Sequence, residues 1–508
     1  MAQNVSGKSN ILNFLWKFLE RIGSQLVSFV VSIILARLLL PEDYGVIAVV
    51  TIFITIADVF VNVGLGAALI QKKDTDDLDY SSAFISNLGL AIILYCIIFF
   101  CSPLIAKWFE MPNLSLILKV LGSQVILASI LSIQNSYISK KRLFRKSFLA
   151  TLIGTVVSAV VGILMAYLGC GVWALVAQQL SLSFISIICL VIILKWFPRF
   201  KFSFKRVKSL LPFGSKVLAT GLIDVGVREV RQIIVGKKYT STDLAYYNKG
   251  ANFPQLIIAN LNMPLKAILF PSMADLQDNK TKLLEVTRTA IRLLSFLYFP
   301  MMAGLAIVAK PMISLLLTDK WLPCVLYLQV YCLEYATWSL QGPIECAMKG
   351  VGAGNLLLIS EIIRKGGALL IVFIAMFFGM DAMAIAVAAT AVLNDFVYRC
   401  AGKIAIKYSF KEQFKDILSP FLLTLVMACV IYPLQFLLSN NWLLISSQVV
   451  IGIAVYLGVA ILTKNKEMKA VLLLLKNFLK NMKGNKAEQT PSPNEDSLKE
   501  NEEEVTSD

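Results

Sequence analysis

Apolar runs longer than 18 residues recur along this chain of 508 residues, from Leu12 to Leu462. A run of that length is enough for an α-helix to cross the hydrocarbon core of a bilayer. With 57% hydrophobic and only 16% charged residues, a water-soluble fold could not cover so much apolar surface. The sequence therefore predicts an all-α polytopic membrane protein.

The apolar runs divide into fourteen predicted transmembrane helices. Their predicted bounds are 11–36, 45–70, 81–102, 114–137, 148–168, 171–195, 209–235, 246–272, 285–309, 322–347, 353–378, 382–406, 416–438 and 441–463. Counted in the connectors alone, 28 Lys and Arg residues lie on the side of the N-terminus and six on the other side. The positive-inside rule then predicts that both termini are cytoplasmic.

The connector KWFPRFKFSFKRVK lies at the midpoint of the first twelve spans and suggests a hinge between two halves. After the last span, a basic amphipathic stretch is predicted to lie on the inner membrane surface, and an acidic tail with Pro and Ser to be disordered. The predicted organisation is an N-terminal six-helix bundle at 1–200, a C-terminal six-helix bundle at 201–412, two additional transmembrane helices at 413–463, a surface helix at 464–486 and a tail at 487–508.

The chain contains no histidine, which excludes histidine metal sites, His-dependent catalytic triads and imidazole proton shuttles. Its nine cysteines form no CxxC motif and indicate neither a disulfide framework nor a zinc site. The net charge of +16 is spread over short connectors and apolar segments, which does not indicate nucleic acid. We therefore expect no catalytic residues, no metal and no cofactor.

Ionisable residues inside the predicted spans are the main functional signal, because each costs a few kcal/mol at bilayer depth. In the first and seventh spans polar residues recur at steps of three and four, which places them on one face of a helix. The cations exceed the acids on these faces, and guanidinium groups match phosphate oxygens. We therefore expect a cavity that holds an anion, lined by Lys17, Arg21, Arg228, Arg231, Arg292, Arg364 and Lys365.

Six acids are candidates for the same cavity: Asp58, Asp224, Glu334, Glu345, Glu361 and Asp395. Asp224 with Arg228, Glu361 with Lys365 and Asp395 with Arg399 are spaced to pair within one helix, so a purely structural role stays open. Asp58, Glu334 and Glu345 are taken to have no basic partner on their own helix. Each could bind a coupling proton or Na⁺, or pair with the surplus cations of other helices, which we favour.

The eighth predicted span contains Pro254 and Pro264. Proline interrupts helical hydrogen bonding, so this span is expected to be kinked or broken. The two prolines are therefore candidates for a gate, and a static kink is the alternative.

Three segments, IGSQLVSFVVSIILARLLLPEDYGVIAVV, GLGAALIQKKDTDDLDYSSAFISN and LAYYNKGANFPQLI, resemble the polysaccharide transporter, or Wzx-type flippase, family of the multidrug, oligosaccharidyl-lipid and polysaccharide exporter superfamily. The resemblance implies two bundles around a central cavity. It also implies a flippase that moves undecaprenyl-pyrophosphate-linked oligosaccharide across a bacterial plasma membrane by alternating access, for O-antigen, capsule, exopolysaccharide or teichuronic acid assembly. The implied partners are this lipid, membrane lipids, a polysaccharide polymerase and chain-length machinery.

Three alternatives stay open, two within the same superfamily and one from another class of protein. A lipid II flippase would also need a cationic cavity. A cation-coupled multidrug exporter fits poorly, because this cavity would repel cationic drugs. A membrane-embedded polymerase would need catalytic residues on an external loop, where only Glu42 and Asp43 qualify, and helix capping explains them better.

Overall fold

The computed structural model describes residues 23–62, 64–465 and 467–469. These residues form α-helices joined by short connections, with a single 3₁₀ turn at Asp319–Trp321 and no β-strand among them. The helices are α1 Gly23–Leu38, α2 Pro41–Asn62, α3 Leu65–Gln71, α4 Asp77–Phe109, α5 Leu114–Gly122, α6 Gln124–Lys141, α7 Phe144–Tyr167, α8 Val172–Leu194, α9 Phe204–Lys238, α10 Ser241–Ala274, α11 Lys280–Leu317, α12 Cys324–Ala336, α13 Trp338–Gly350, α14 Gly354–Ala375, α15 Met380–Ile406, α16 Phe410–Ile431, α17 Leu434–Leu437 and α18 Asn441–Leu462.

Within the described residues, each of the fourteen predicted spans overlaps one of these helices or two consecutive ones, the first span from residue 23 onward. This agreement confirms the predicted fold class. Among the described residues, nine helical segments are long and apolar enough to cross a bilayer, or ten when the bent α9 is included. Helix α14 falls outside that count because Glu361, Arg364 and Lys365 interrupt its apolar sequence. Of the basic stretch predicted after the last span, only 464–465 and 467–469 are described, and the predicted acidic tail lies outside the described residues.

Side-chain caps explain where several helices begin. Asp76 and Asp79 form a capping box at the start of α4, and Thr240 and Asp243 form another at the start of α10. At the start of α2 the backbone N–H of Leu40 donates to a carboxylate oxygen of Asp43 at 3.0 Å. These side chains satisfy N–H groups that the first helical turn leaves free. The acid of the LPEDYG turn therefore has a capping role, as predicted.

Following the predicted division, we refer to α1–α8 and α9–α15 as the two halves of the chain; α16 and α18 pack against α11. The halves are in contact where α2 packs against α9 and α10, and where α3 and α4 pack against α9. We call the end of the molecule with the α1–α2 turn the turn end, and the opposite end, with the connector at 195–203, the linker end.

The predicted break in the eighth span is not present. Helix α10 runs without interruption through Pro254 and Pro264, and the side chain of Pro254 is buried. A bend of 47° lies in α9, between Phe204–Ser215 and Val217–Lys238. A gating role for the two prolines remains a prediction.

Candidate functional site

A central cavity lies between the two halves and consists of two chambers. The first chamber has a volume of about 620 Å³, and the second, nearer the linker end, has a volume of about 910 Å³. Asp224, Val227, Arg364 and Lys365 line both chambers, so the two are continuous. In the described part of the chain, the first half lines only the first chamber, through Ser32, Tyr44, Ile47, Ala48, Thr51 and Thr55.

Arg228 lies on the wall of the first chamber and is 60% exposed to it. Its Nε donates to Glu229 Oε1 at 2.9 Å, and not to Asp224, the partner that helical spacing suggested. Gln232 donates to the other oxygen of Glu229 at 2.7 Å, and Asn248 of α10 donates to Gln232 at 2.9 Å. Because Glu229 is held by these donors, Arg228 keeps most of its guanidinium directed into the cavity.

Asp224 instead accepts a hydrogen bond from Lys365 of α14, on the boundary between the chambers. Lys365 also lies 3.6 Å from Glu361, the partner on its own helix. Arg364 donates to both oxygens of Glu361, at 2.9 and 2.8 Å, and Tyr398 donates to one of them at 2.9 Å. The acids predicted on α9 and α14 thus hold the cations of α14 in place.

Two cations of the first chamber, Arg231 and Lys249, form no ion pair with any described residue. Lys249 is 5% exposed, and its Nζ donates to Ser32 Oγ at 2.9 Å. The same ammonium lies 4.8 Å from the ring centre of Tyr44 and 5.4 Å from that of Trp321. Aromatic faces attract a cation but do not neutralise it, so no carboxylate compensates Lys249 at close range. Arg231 interacts with the buried carboxylate of Glu334 in the same chamber but forms no direct ion pair with it.

The second chamber contains a compact group of charges around Glu345. Lys266 of α10 donates to Glu345 Oε2 at 2.6 Å, and Lys349 donates to Glu345 Oε1 at 2.7 Å. The expectation that Glu345 has no basic partner on its own helix is therefore wrong, since Lys349 lies four residues further along α13.

Glu334 lines the first chamber, and its Oε2 is buried without a hydrogen bond.

Several predicted residues lie elsewhere. Lys17 and Arg21 fall outside the described residues. Arg292 is not in the cavity lining, because it faces α16 and the chain beyond α18, with its guanidinium 3.8 Å from Asp416 and 4.0 Å from Glu467. Asp58 lines neither chamber, and its Oδ1 is buried without a hydrogen bond.

Asp395 also lies away from the central cavity, in a separate pocket next to α16. The predicted pair with Arg399 is confirmed, at 2.6 Å. Asp395 and Arg399 each follow a cavity-lining residue of α15, Asn394 and Tyr398. Adjacent side chains on a helix point about 100° apart, so Asp395 and Arg399 point away from the cavity.

Close contacts between the halves seal the turn end of the cavity. A Cβ atom added to Gly45 of α2 would lie 1.9 Å from the carbonyl oxygen of Ser241 on α10, so only glycine permits this approach. Trp321 donates to the carbonyl oxygen of Ala36 at 2.9 Å, and Lys320 donates to that of Leu39 at 2.6 Å. The cavity therefore has no wide opening at this end.

A groove of about 370 Å³ between α1 and α10 adjoins the first chamber. The two spaces share Ser32, Lys249, Asn252 and Gln255. Phe29 and Leu256 form part of the remaining wall. The groove thus joins the charged chamber to a partly apolar path between two helices.

The sequence analysis missed Glu229 as the partner of Arg228, and it did not assign Lys249 to the site. Adjacent residues on a helix point about 100° apart, so spacing rules overlook an Arg–Glu neighbour pair. Lys249 could have been recognised from its position in the segment YYNKG, in the first turns of α10 after the Thr240–Asp243 cap. In the described part of the chain, no group of three or more Cys, Asp or Glu side chains could hold a metal ion.

Comparison with protein families finds a match over residues 34–326, more than half of the chain, to the family described as "Polysaccharide biosynthesis protein". The succinoglycan biosynthesis transport protein ExoT of Rhizobium meliloti is 24% identical over 367 residues, which cover 72% of this chain and 74% of that protein. The teichuronic acid biosynthesis protein TuaB of Bacillus subtilis is 23% identical over 384 residues, covering 74% and 78%.

Among solved structures, the lipid II flippase MurJ in an inward closed conformation superposes with a TM-score of 0.71 at 18% identity, covering 90% of this chain and 99% of that one. An inward-facing multidrug transporter of the MATE family superposes with a TM-score of 0.57 at 15% identity, covering 76% and 96%. At such identities the likeness concerns the fold.

Proposed function

Because the chain belongs to the polysaccharide biosynthesis protein family of membrane transporters, we propose that it is a flippase for polyprenyl-pyrophosphate-linked oligosaccharide. Its cargo is the undecaprenyl-pyrophosphate carrier of a repeat unit for a surface polysaccharide. The relatives named above act in succinoglycan and teichuronic acid biosynthesis.

The observation that carries this proposal is that Arg231 and Lys249 line the first chamber without a direct ion pair to any described residue. The other cations of that chamber, Arg228, Arg364 and Lys365, are each held by a carboxylate. A pyrophosphate diester carries two negative charges, and Arg231 and Lys249 are two cations whose hydrogen-bond donors are not taken up by a direct ion pair. Charge-assisted hydrogen bonds to such an anion contribute about 1.5–3 kcal/mol each.

The uncharged polar groups of the first chamber suit the sugars of the cargo. Thr51 and Thr55 of α2 and Asn248 and Gln255 of α10 line this chamber. Hydroxyl and amide groups are the donors and acceptors that match sugar hydroxyls. The oligosaccharide would therefore lie between the two halves, with its pyrophosphate against α9, α10 and α14.

The groove between α1 and α10 provides a path for the polyprenyl tail of the cargo. A polyprenyl chain drawn into a charged chamber would lose its apolar surroundings, so it is better left in the bilayer. The groove reaches the chamber at Lys249 and is lined by Phe29 and Leu256 on the way. The head group can therefore occupy the chamber while the tail extends sideways.

The orientation predicted from connector charge places the linker end in the cytoplasm. The sealed turn end then faces outward, and the second chamber, which extends to Lys349 near the end of α13, faces inward. Transport follows when the contacts at the turn end separate and those at the linker end close around the cargo, as alternating access requires. Lys17 and Arg21 are proposed to join the cationic lining from the start of the first span.

The proposal is tested with the purified chain in liposomes that contain a fluorescent polyprenyl-pyrophosphate oligosaccharide. Transfer between leaflets is measured as the fraction of sugar that an impermeant oxidant reaches. We expect faster transfer than for the same glycan on a polyprenyl monophosphate, because one phosphate leaves part of the cationic lining unmatched. Equal rates for the two lipids, or no transfer of either, would contradict the proposal.

A further inference from the structure

A third pocket of about 380 Å³ lies away from the central cavity, between α11, α12, α13, α15 and α16. It shares no lining residue with either chamber. On α13, Trp338 and Gln341 face the second chamber, whereas Ser339 and Leu340 face this pocket. Helices α13 and α15 thus form a wall between the third pocket and the cavity proposed for the cargo.

The third pocket contains one ion pair, Asp395 with Arg399, and this pair has unused hydrogen-bonding capacity. Arg399 uses only its Nε, which donates to Asp395 Oδ2 at 2.6 Å. The other four N–H groups of the guanidinium and the Oδ1 atom of Asp395 have no hydrogen-bond partner among the described residues. None of these atoms is fully buried, so a ligand in the pocket can reach them.

The remainder of the third pocket is mostly apolar and opens toward the bilayer. Met302 is buried at its base, while Leu333 and Phe421 at its edge are 51% and 52% exposed. Arg399 lies seven residues from the end of α15, about 10 Å from the linker end. Gln329 lies five residues from the start of α12, near the turn end. The pocket is therefore a long slot with its charged end toward one membrane surface.

We propose that the third pocket binds a zwitterionic aminophospholipid. The phosphate accepts hydrogen bonds from the free N–H groups of Arg399, and the ammonium donates to Asp395. One acyl chain lies along the slot toward Gln329, where it covers Leu333 and Phe421.

The net charge of the Asp395–Arg399 pair determines which lipid headgroup fits the third pocket. Asp395 and Arg399 together are neutral, so an anionic lipid would leave excess negative charge at bilayer depth, which is costly. A choline headgroup balances the charge but has no N–H group to donate to Asp395. A primary ammonium with a phosphate matches both residues.

The test uses the purified full-length chain with phosphatidylethanolamine, phosphatidylcholine and phosphatidylglycerol of identical acyl chains. Native mass spectrometry counts bound lipid, and thermal unfolding follows stabilisation, which rises with the concentration of a bound ligand. We expect one retained phosphatidylethanolamine and the largest rise in Tm with that lipid. Arg399→Gln should weaken its binding by about tenfold to a hundredfold.

Asp395→Asn tests the headgroup preference more directly, because it removes the negative charge of Asp395 and keeps the size of its side chain. It should transfer the preference from phosphatidylethanolamine to phosphatidylglycerol. Leu333→Trp, which fills the slot and leaves both charges, should lower retention of every phospholipid. Lys349→Gln is the matched control, since it breaks an ion pair of the same spacing in the second chamber and should leave lipid preference unchanged.

Equal binding of the three lipids to the unmodified chain would overturn the proposal, as would an unchanged order of preference in Asp395→Asn. Displacement of the phospholipid by a polyprenyl pyrophosphate would also overturn it, because that result would place the third pocket on the path of the cargo.

Discussion

The ammonium group of Lys365 on α14 donates a hydrogen bond to the carboxylate of Asp224 on α9, 141 residues earlier in the chain. This contact joins two helices at the boundary between the chambers. It also leaves Arg228, one turn after Asp224, with a different partner, Glu229.

The partner of Arg228 can be identified by double substitution. Arg228→Gln should reduce polysaccharide export about tenfold or more, because it removes a charge-assisted contact to the cargo. Adding Asp224→Asn should not restore export, since Asp224 holds Lys365 instead. Export is measured as surface polysaccharide at matched protein levels in the membrane. Recovery in the Asp224→Asn double variant would show that Arg228 serves only to neutralise that acid.

Gly45 tests the seal at the turn end. Gly45→Ala places a methyl group against the backbone of Ser241 and should force α2 and α10 apart. In a background without native cysteines, Thr51→Cys reports access to the first chamber. Its labelling by an impermeant thiol reagent outside cells should increase several-fold with Gly45→Ala. The control is Gly89→Ala on α4, where an added Cβ meets nothing within 4 Å. Equal labelling in the two variants would mean that this contact does not seal the cavity.

The orientation rests on the distribution of basic residues and is tested with single cysteines in the same background. Cysteines at Ser139 and Ser203 should be protected from the impermeant reagent in whole cells, whereas one at Thr240 should be labelled. Ser203 and Thr240 lie at opposite ends of α9, so the pair reports on one helix. Labelling of Ser203 from outside would reverse the topology and the proposed direction of transport.

The positions of the helices could be predicted from the sequence because long apolar runs have few alternatives in a bilayer. The partners of the charged residues could not. A helical pattern shows which side chains share a face, but not which helix that face meets. Asp224 and Lys365 became a pair only through packing of α9 on α14, and Arg292 was assigned to the cavity although its face of α11 meets α16.

Asp76 offers a pH test at the linker end, outside the spanning segments. The backbone N–H of Asp79 and then the charge of Arg206 hold the pKa of Asp76 below its ordinary value. Its stabilisation is therefore complete above the unfolded pKa of about 3.9 and is lost as pH falls through the lower folded value. Asp76→Asn, which keeps the cap, should flatten the fall in Tm below pH 4. An unchanged pH profile in detergent would exclude this contribution.

The central claim is that Arg231 and Lys249 provide the charge for the pyrophosphate, and direct binding tests it best. Affinity of the purified chain for a short-chain polyprenyl pyrophosphate should fall about tenfold to a hundredfold in Arg231→Gln and in Lys249→Gln. Arg231→Lys should recover part of it, because lysine keeps the charge and loses the bidentate geometry. Arg292→Gln is the matched control, since it removes an arginine outside the cavity, and it should bind as the unmodified chain does. Unchanged affinity in Arg231→Gln and Lys249→Gln, or an equal loss in Arg292→Gln, would contradict the account.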